Sequence, residues 1–127
     1  MRYWNFDVVQ LKADYPKNKS TLESIQETKE VALKCLKNPI GQTDRGDWEQ
    51  YIKILELREA EYQMYVDMVY IGLRDLPEIE RLVVKYWLID QLDDEQIVAL
   101  CRIDSLSELV KIKKIAITKF VNIVMPN

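Results

Sequence analysis

The sequence contains no histidine. That removes the side chain that most often acts as a general base and most often holds zinc. Its three glycines (Gly41, Gly46 and Gly72) are isolated, so no glycine-rich phosphate loop exists. There is no Ser-His or Cys-His pair, and carboxylates alone mark no site. An enzyme is not expected, nor is a cofactor or a catalytic metal. The two cysteines, Cys35 and Cys101, both fall in apolar helical patterns, where buried free thiols are the ordinary outcome. A disulfide or a shared metal is the alternative. With 3 glycines and 4 prolines, long helices are favoured over a turn-rich β fold. No apolar run approaches the ~18–20 residues of a membrane span. Residues 1–7 lack the charged-then-apolar layout of a signal peptide, so a cytoplasmic location and no membrane partner are expected.

What is present is a folded-protein composition. Of 127 residues, 48% are hydrophobic and 31% charged. The net charge of −3 is unevenly placed. Residues 41–70 carry 7 acidic and 3 basic groups, whereas residues 103–127 carry 4 basic and 2 acidic ones. An acidic middle and a basic last helix suit a protein with one small phosphate-facing surface.

The spacing predicts an all-α fold: an N-terminal helical arm or hairpin with a long helix (1–73), then a C-terminal unit (74–127). Residues 1–19 read as irregular or partly helical, with Tyr15-Pro16 as a boundary. Ser20-Thr21-Leu22-Glu23 reads as a capping box that opens a helix over 21–37, with Leu22, Ile25, Val31, Ala32, Cys35 and Leu36 apolar. Asn38-Pro39 stops it. A polar loop follows, where Thr43, Asp44 and Asp47 offer caps. The longest helix is expected over 47–73, spanning roughly 40 Å at ~1.5 Å per residue. Trp48, Ile52, Leu55, Glu59, Tyr62, Val66, Val69 and Leu73 form a heptad seam along it, and Tyr51, Leu57, Tyr65 and Tyr70 widen the stripe. Either the seam packs within one chain, or the 47–73 helix pairs with a second copy as a homodimer.

The C-terminal unit has the layout of a helix-turn-helix with a supporting helix in front. Pro77 suits the first position of the supporting helix, whose buried face is Ile79, Leu82, Val83, Tyr86 and Ile89, extended by Trp87 and Leu88. Asp93 and Gln96 can close a capping box around a short helix with Ile97, Val98, Leu100 and Cys101 on its apolar face. Arg102-Ile103-Asp104 makes the turn, and Ser105-Leu106-Ser107-Glu108 is a further box. The last helix runs to about Ile123, with Pro126 beyond it. Leu109, Ile112, Ala116, Phe120 and Ile123 face the core, and Ser107, Lys111, Lys114, Thr118 and Asn122 face away. Leu106, Val110, Ile117, Val121 and Val124 form an extra apolar flank, packed on the long helix or on a partner.

The run Leu76-Pro77-Glu78-Ile79-Glu80-Arg81, then Val83-Val84-Lys85-Tyr86-Trp87-Leu88, then Leu92-Asp93-Asp94-Glu95-Gln96-Ile97-Val98 resembles the promoter-reading helix-turn-helix of bacterial sigma factors, their region-four type. Ile103, Ser105 or Ser107, Lys113-Lys114 and Ala116 continue the likeness. Upstream, Leu11, Asp14-Tyr15-Pro16, Lys19 and Asp47-Trp48-Glu49-Gln50-Tyr51 resemble, more loosely, the helical region of phage-encoded late transcription regulators of the ArpU/RinA type. Arg102 stands where the family's turn usually has glycine, a costly choice if the backbone there is left-handed.

The resemblance implies a phage or prophage transcription regulator that binds double-stranded DNA and contacts RNA polymerase or promoter DNA. The last helix would enter the major groove with its N-terminal half leading. Ser105, Ser107, Glu108, Lys111, Lys114 and Thr118 are then the DNA-binding candidates, with lysines for phosphates or guanine edges and Glu108 for a cytosine amine. Lys113 points nearer the core, and Lys119 supports from the far end. Two other readings stay open: a helical interaction module without DNA binding, and a phage terminase small subunit.

Overall fold

In the computed structural model, which describes residues 4–40 and 42–125, the first helix starts from a turn built on Asp7. The Asp7 carboxylate accepts from the Val9 amide at 2.9 Å, and its carbonyl accepts from the Gln10 amide at 3.1 Å. Such self-bonded aspartates start turns. Helix α1 (Leu11–Lys37) follows at once. The expected boundary at Tyr15-Pro16 is therefore absent, and Ser20 lies mid-helix instead of capping it. Two contacts explain the difference. Pro16 lacks the amide that would donate to the Lys12 carbonyl, and the Gln91 side-chain amide donates to that carbonyl instead, at 3.1 Å. Tyr15 is buried beside Tyr65, with ring centroids 6.4 Å apart. Packing overrides the local preference of the residue before proline.

Residues 1–3, Gly41, Pro126 and Asn127 lie outside the described residues, as does the Thr43 side chain. Helix α2 (Gln42–Arg74) begins before the expected Asp47, with the Asp44 carboxylate accepting the Ile40 amide at 2.9 Å. It runs antiparallel to α1, since Tyr15 meets Tyr65 while Lys29 Nζ lies 2.9 Å from a Glu59 carboxylate oxygen. The heptad seam is covered within the chain. Ile52, Leu55, Val66, Val69 and Leu73 are buried, and Trp48, Glu59 and Tyr62 half-buried. Val31, expected in the buried stripe of α1, is exposed. It sits about 100° around the helix from buried Ala32, outside the width of the α2 contact.

Pro77 precedes helix α3 (Glu78–Val84), which widens into a π-helical turn over Lys85–Ile89. Val83, Val84, Trp87 and Leu88 are buried, but Ile79 is exposed. The inward place in that first turn belongs to Glu80, whose carboxylate lies 2.9 Å from Lys119 Nζ of the last helix. Arg81 turns back onto the end of α2 and donates to the Leu73 carbonyl at 3.2 Å and the Leu76 carbonyl at 2.9 Å. The Leu73 carbonyl, in the last turn of α2, also accepts from the Leu76 amide at 3.2 Å, so the end of α2 is closed by both. Helix α4 (Asp94–Cys101) and helix α5 (Leu106–Val124) complete the chain, and no strand occurs among the described residues.

One buried cluster runs through both halves, joining Phe6, Tyr15 and Tyr65 to Leu88, Ile97 and Phe120. A smaller one of Ile25, Ala32, Ile52 and Leu55 holds the far part of the α1–α2 hairpin. The N-terminal arm staples the larger cluster. The Trp4 indole N–H donates to the Glu61 carbonyl at 2.8 Å, and Phe6 stacks on Tyr65 with centroids 5.1 Å apart.

Gly72 marks the closest approach of α2 to α5. A β-carbon there would lie 2.6 Å from the Phe120 ring and 2.9 Å from Val124. Gly72→Ala is expected to destabilise, because overpacking of about 1–3 kcal/mol exceeds the gain of about 1 kcal/mol from helix propensity. Gly46, in the same helix but with open space around it, is expected to gain stability on Gly46→Ala. Denaturant unfolding of the two variants should show opposite signs.

Burial pushes the Tyr65 phenol up to about 12, and the Asn18 side chain beside it only partly offsets this. Its hydroxyl has no well-formed hydrogen bond among the described residues. Tyr15 is also raised, by burial first and then by neighbouring Tyr70. Both phenols are harder to ionise folded than unfolded. Their contribution is complete below about pH 10 and is lost as pH rises through about 12. Stability to urea should stay flat up to about pH 10 and then fall. Phenolate absorbance should show two of the seven tyrosines ionising late, with unfolding.

Candidate nucleic-acid interface

Each end of the α4–α5 pair is set by its own side chains. The Asp93 carboxylate accepts from the Gln96 amide at 2.8 Å, and the Gln96 side chain accepts from the Asp93 amide at 3.0 Å. This closed box starts α4 where the sequence predicts. Ile97 is fully buried and anchors the short helix, while Val98 and Cys101 are half-buried. Leu100, expected on the same face, is exposed, because eight residues offer only a narrow contact stripe.

The turn is left-handed at Arg102, with φ 54° and ψ 45°. This geometry lets the Arg102 amide and then the Ile103 amide donate to the Val98 carbonyl. That arrangement ends a helix cleanly, and glycine usually supplies it. Ser105 then caps α5, its hydroxyl accepting from the Glu108 amide at 3.1 Å. Four residues, Arg102 to Ser105, thus separate the two helices.

Two ion pairs hold α5 from opposite sides. Lys113 Nζ lies 2.9 Å and 3.2 Å from the two Asp94 carboxylate oxygens at the start of α4. Lys119 Nζ lies 2.9 Å from buried Glu80 of α3. Lys111 and Lys114 are exposed, and neither is ion-paired among the described residues. Ser107 and Glu108 are exposed on the first turn. The Ser105 hydroxyl is occupied by its cap and stands 3.2 Å from that of Ser107. Thr118 is exposed but turns its hydroxyl onto the Lys114 carbonyl at 2.8 Å.

All six candidates are exposed, Ser105 as the cap ahead of α5 and Ser107, Lys111, Lys114 and Thr118 along one side of it, with Ser107, Lys111 and Lys114 the most available. Sequence reasoning missed two features beside them. Leu106 and Val110, read as part of a packed flank, are 48% and 53% exposed, whereas Ile117 and Val124 further along that flank are buried. Their spacing of four residues from each other and from Lys114 was the signal. The second is Gln91, which clips the start of α1 to the turn before α4.

Both cysteines are free and half-buried, and burial pushes the Cys101 thiol up, away from the reactive thiolate. No group of three or more potential metal ligands occurs among the described residues. No helix among them is long and apolar enough to cross a membrane. No protein-family model, curated protein or solved structure matches the chain.

A non-glycine residue held left-handed carries a penalty of about 1–2 kcal/mol. Arg102→Gly relieves it while adding about 0.5–1 kcal/mol of unfolded-chain entropy. A net stabilisation of up to about 1 kcal/mol is expected in thermal unfolding. Arg102→Ala, which keeps the β-carbon, is expected to leave stability nearly unchanged.

Proposed function

We propose that the chain is a DNA-binding transcription regulator that presents the N-terminal half of α5 to the major groove of duplex DNA. The observation that carries this reading is the division of the lysines on α5. Lys113 and Lys119 are held by Asp94 and Glu80, and so fix the helix. Lys111 and Lys114 are exposed and without an ion pair among the described residues, on the same side of the helix as Ser107. A helix fixed from behind with a polar, cationic front suits base reading and phosphate contact together. The likeness to phage late regulators adds a phage or prophage origin and a contact with RNA polymerase to the same proposal. A second copy pairing along α2 would have to use its outer side, where Ile54 and Leu57 are exposed, because α1 covers the seam.

The alternative is an interaction module that holds a protein instead of DNA. The acidic start of α4, Asp93-Asp94-Glu95, favours it, since phosphates are repelled there.

Binding of the purified protein to DNA fragments from around its own coding region, at two salt concentrations, separates the two. Among the described residues, Arg102, Lys111 and Lys114 are the cations of the α4–α5 unit without an ion pair. A logarithmic salt slope of about −3 is expected from roughly 0.9 per neutralised phosphate. The Lys111→Ala/Lys114→Ala double variant should flatten the slope by about 2. Absence of binding at low salt, or equal binding by the variant, removes α5 as a DNA reader.

A further inference from the structure

We propose that Leu106 and Val110 read the 5-methyl groups of pyrimidines in the major groove, thymine above all. The proposal rests on the DNA-binding reading and assigns what that site discriminates.

Two half-exposed aliphatic side chains sit on the first two turns of α5, the part that leads into a groove. The same flank is buried further along, at Ile117 and Val124. The stripe is thus continuous, but its first two members have left the core. Residues four apart lie in one row along a helix. Leu106, Val110 and Lys114 form one such row, beside the row of Ser107 and Lys111. Apolar and polar readers therefore share one surface. Leu106 and Val110 also border an open groove of about 760 Å³ with Trp87 at its base and the start of α4 along its rim.

The chemistry of the major groove narrows the occupant. Its base edges offer donors, acceptors and one apolar group, the C5-methyl. The charge around the groove decides between DNA bases and a charged peptide. Asp94 is neutralised by Lys113 at 2.9 Å, and Lys12 is held on the Leu92 carbonyl at 3.2 Å. Lys12 and Lys113 against Asp93, Asp94 and Glu95 leave the groove lining one net negative charge, too little to select a strongly cationic segment and a repulsion that phosphates feel and uncharged base edges do not. With Arg102, Lys111 and Lys114 the cations of this unit without an ion pair among the described residues, phosphate attraction is modest and base contacts must carry more of the discrimination.

The test uses the full chain and a duplex recovered from a random-sequence DNA library. Each thymine in the bound site is replaced singly by deoxyuridine, which removes the methyl and leaves pairing intact. The wild type is expected to lose affinity by about fourfold at one or two positions, the factor for burying one methyl-sized group. Leu106→Ala or Val110→Ala should erase the penalty at its own position. Both side chains are half-exposed, so unchanged thermal unfolding should show that the fold is kept. Single cytosine to 5-methylcytosine replacements form the second arm, and a gain there in place of a uracil loss assigns the methyl to modified cytosine. A site bound equally with and without its methyl groups overturns the proposal, as does a uracil penalty that persists in both variants. Duplex binding that neither variant alters returns the groove to a protein partner. Failure to recover any bound duplex overturns the DNA-binding reading itself.

Discussion

Phe120 can lie against the backbone of α2 only because residue 72 has no side chain. The ring is fully buried, and a β-carbon at Gly72 would come within 2.6 Å of it. That contact sets how α5 sits on the rest of the molecule. Phe6 packs edge-on to the same ring at 6.4 Å, and the Phe6 amide donates to the Met125 sulfur at 3.0 Å. Lys119 reaches Glu80 just before it. The C-terminal half of α5 is thereby clamped from three directions. Its N-terminal half is held by buried Leu109, by half-buried Ile112 and by the Lys113–Asp94 pair, while Leu106, Ser107, Glu108, Val110, Lys111 and Lys114 are exposed. A recognition element needs this combination, since side chains discriminate only when the backbone carrying them is fixed.

The breaks between helices obey a stricter constraint, that buried backbone groups find partners. Arg81 supplies the donors at the end of α2, and Asp93 and Gln96 satisfy each other at the start of α4. The case of Pro16 links distant parts. Its missing amide leaves the Lys12 carbonyl open, and Gln91, itself left-handed at φ 56°, fills the gap. Lys12 in return donates to the Leu92 carbonyl. This reciprocal clip, with the shared buried cluster, joins the hairpin to the α4–α5 unit as one packed body.

Legibility in the sequence followed how local the determinant was. The Asp93–Gln96 box, the end of α1 at Lys37, the Pro77 start and the seam of α2 each depend on residues within a turn or on a long repeat, and each appears where the pattern places it. Ser20 carries an equally good box, yet α1 passes straight through it, because Tyr15 and Leu11 are buried ahead of it and Gln91 relieves the proline. Tyr65, against which Tyr15 packs, and Gln91 lie fifty or more residues along the chain, beyond any local pattern. Ile79, Leu100 and Val31 are apolar at helical spacing but exposed. Periodicity says which residues share a face, not how wide a face the neighbouring helix covers. On α5 the direction of every candidate was legible, whereas the availability of its polar atom was not. Thr118 and Ser105 use their hydroxyls internally, a matter of rotamer rather than spacing.

The electrostatics of α5 follow from the same packing. Residues 103–127 look basic in sequence, yet Lys113 and Lys119 act inward, tying α5 to α4 and α3. Asp94 lies close enough to Lys113 to cancel its field locally, and the first turn of α4 adds Asp93 and Glu95. A charge count along the chain therefore overstates the field that α5 projects. Each pair is open to solvent at one end, Lys119 in one and Asp94 in the other, which limits what it adds to stability, so its larger effect is geometric. They fix the rotation of α5 about its own axis, and that rotation brings Lys111, Lys114, Leu106 and Val110 to the outside together. Cationic and aliphatic side chains on one rigid front give a surface whose weak long-range attraction must be completed by close contact. Selectivity at such a surface depends on shape and on single functional groups more than on charge.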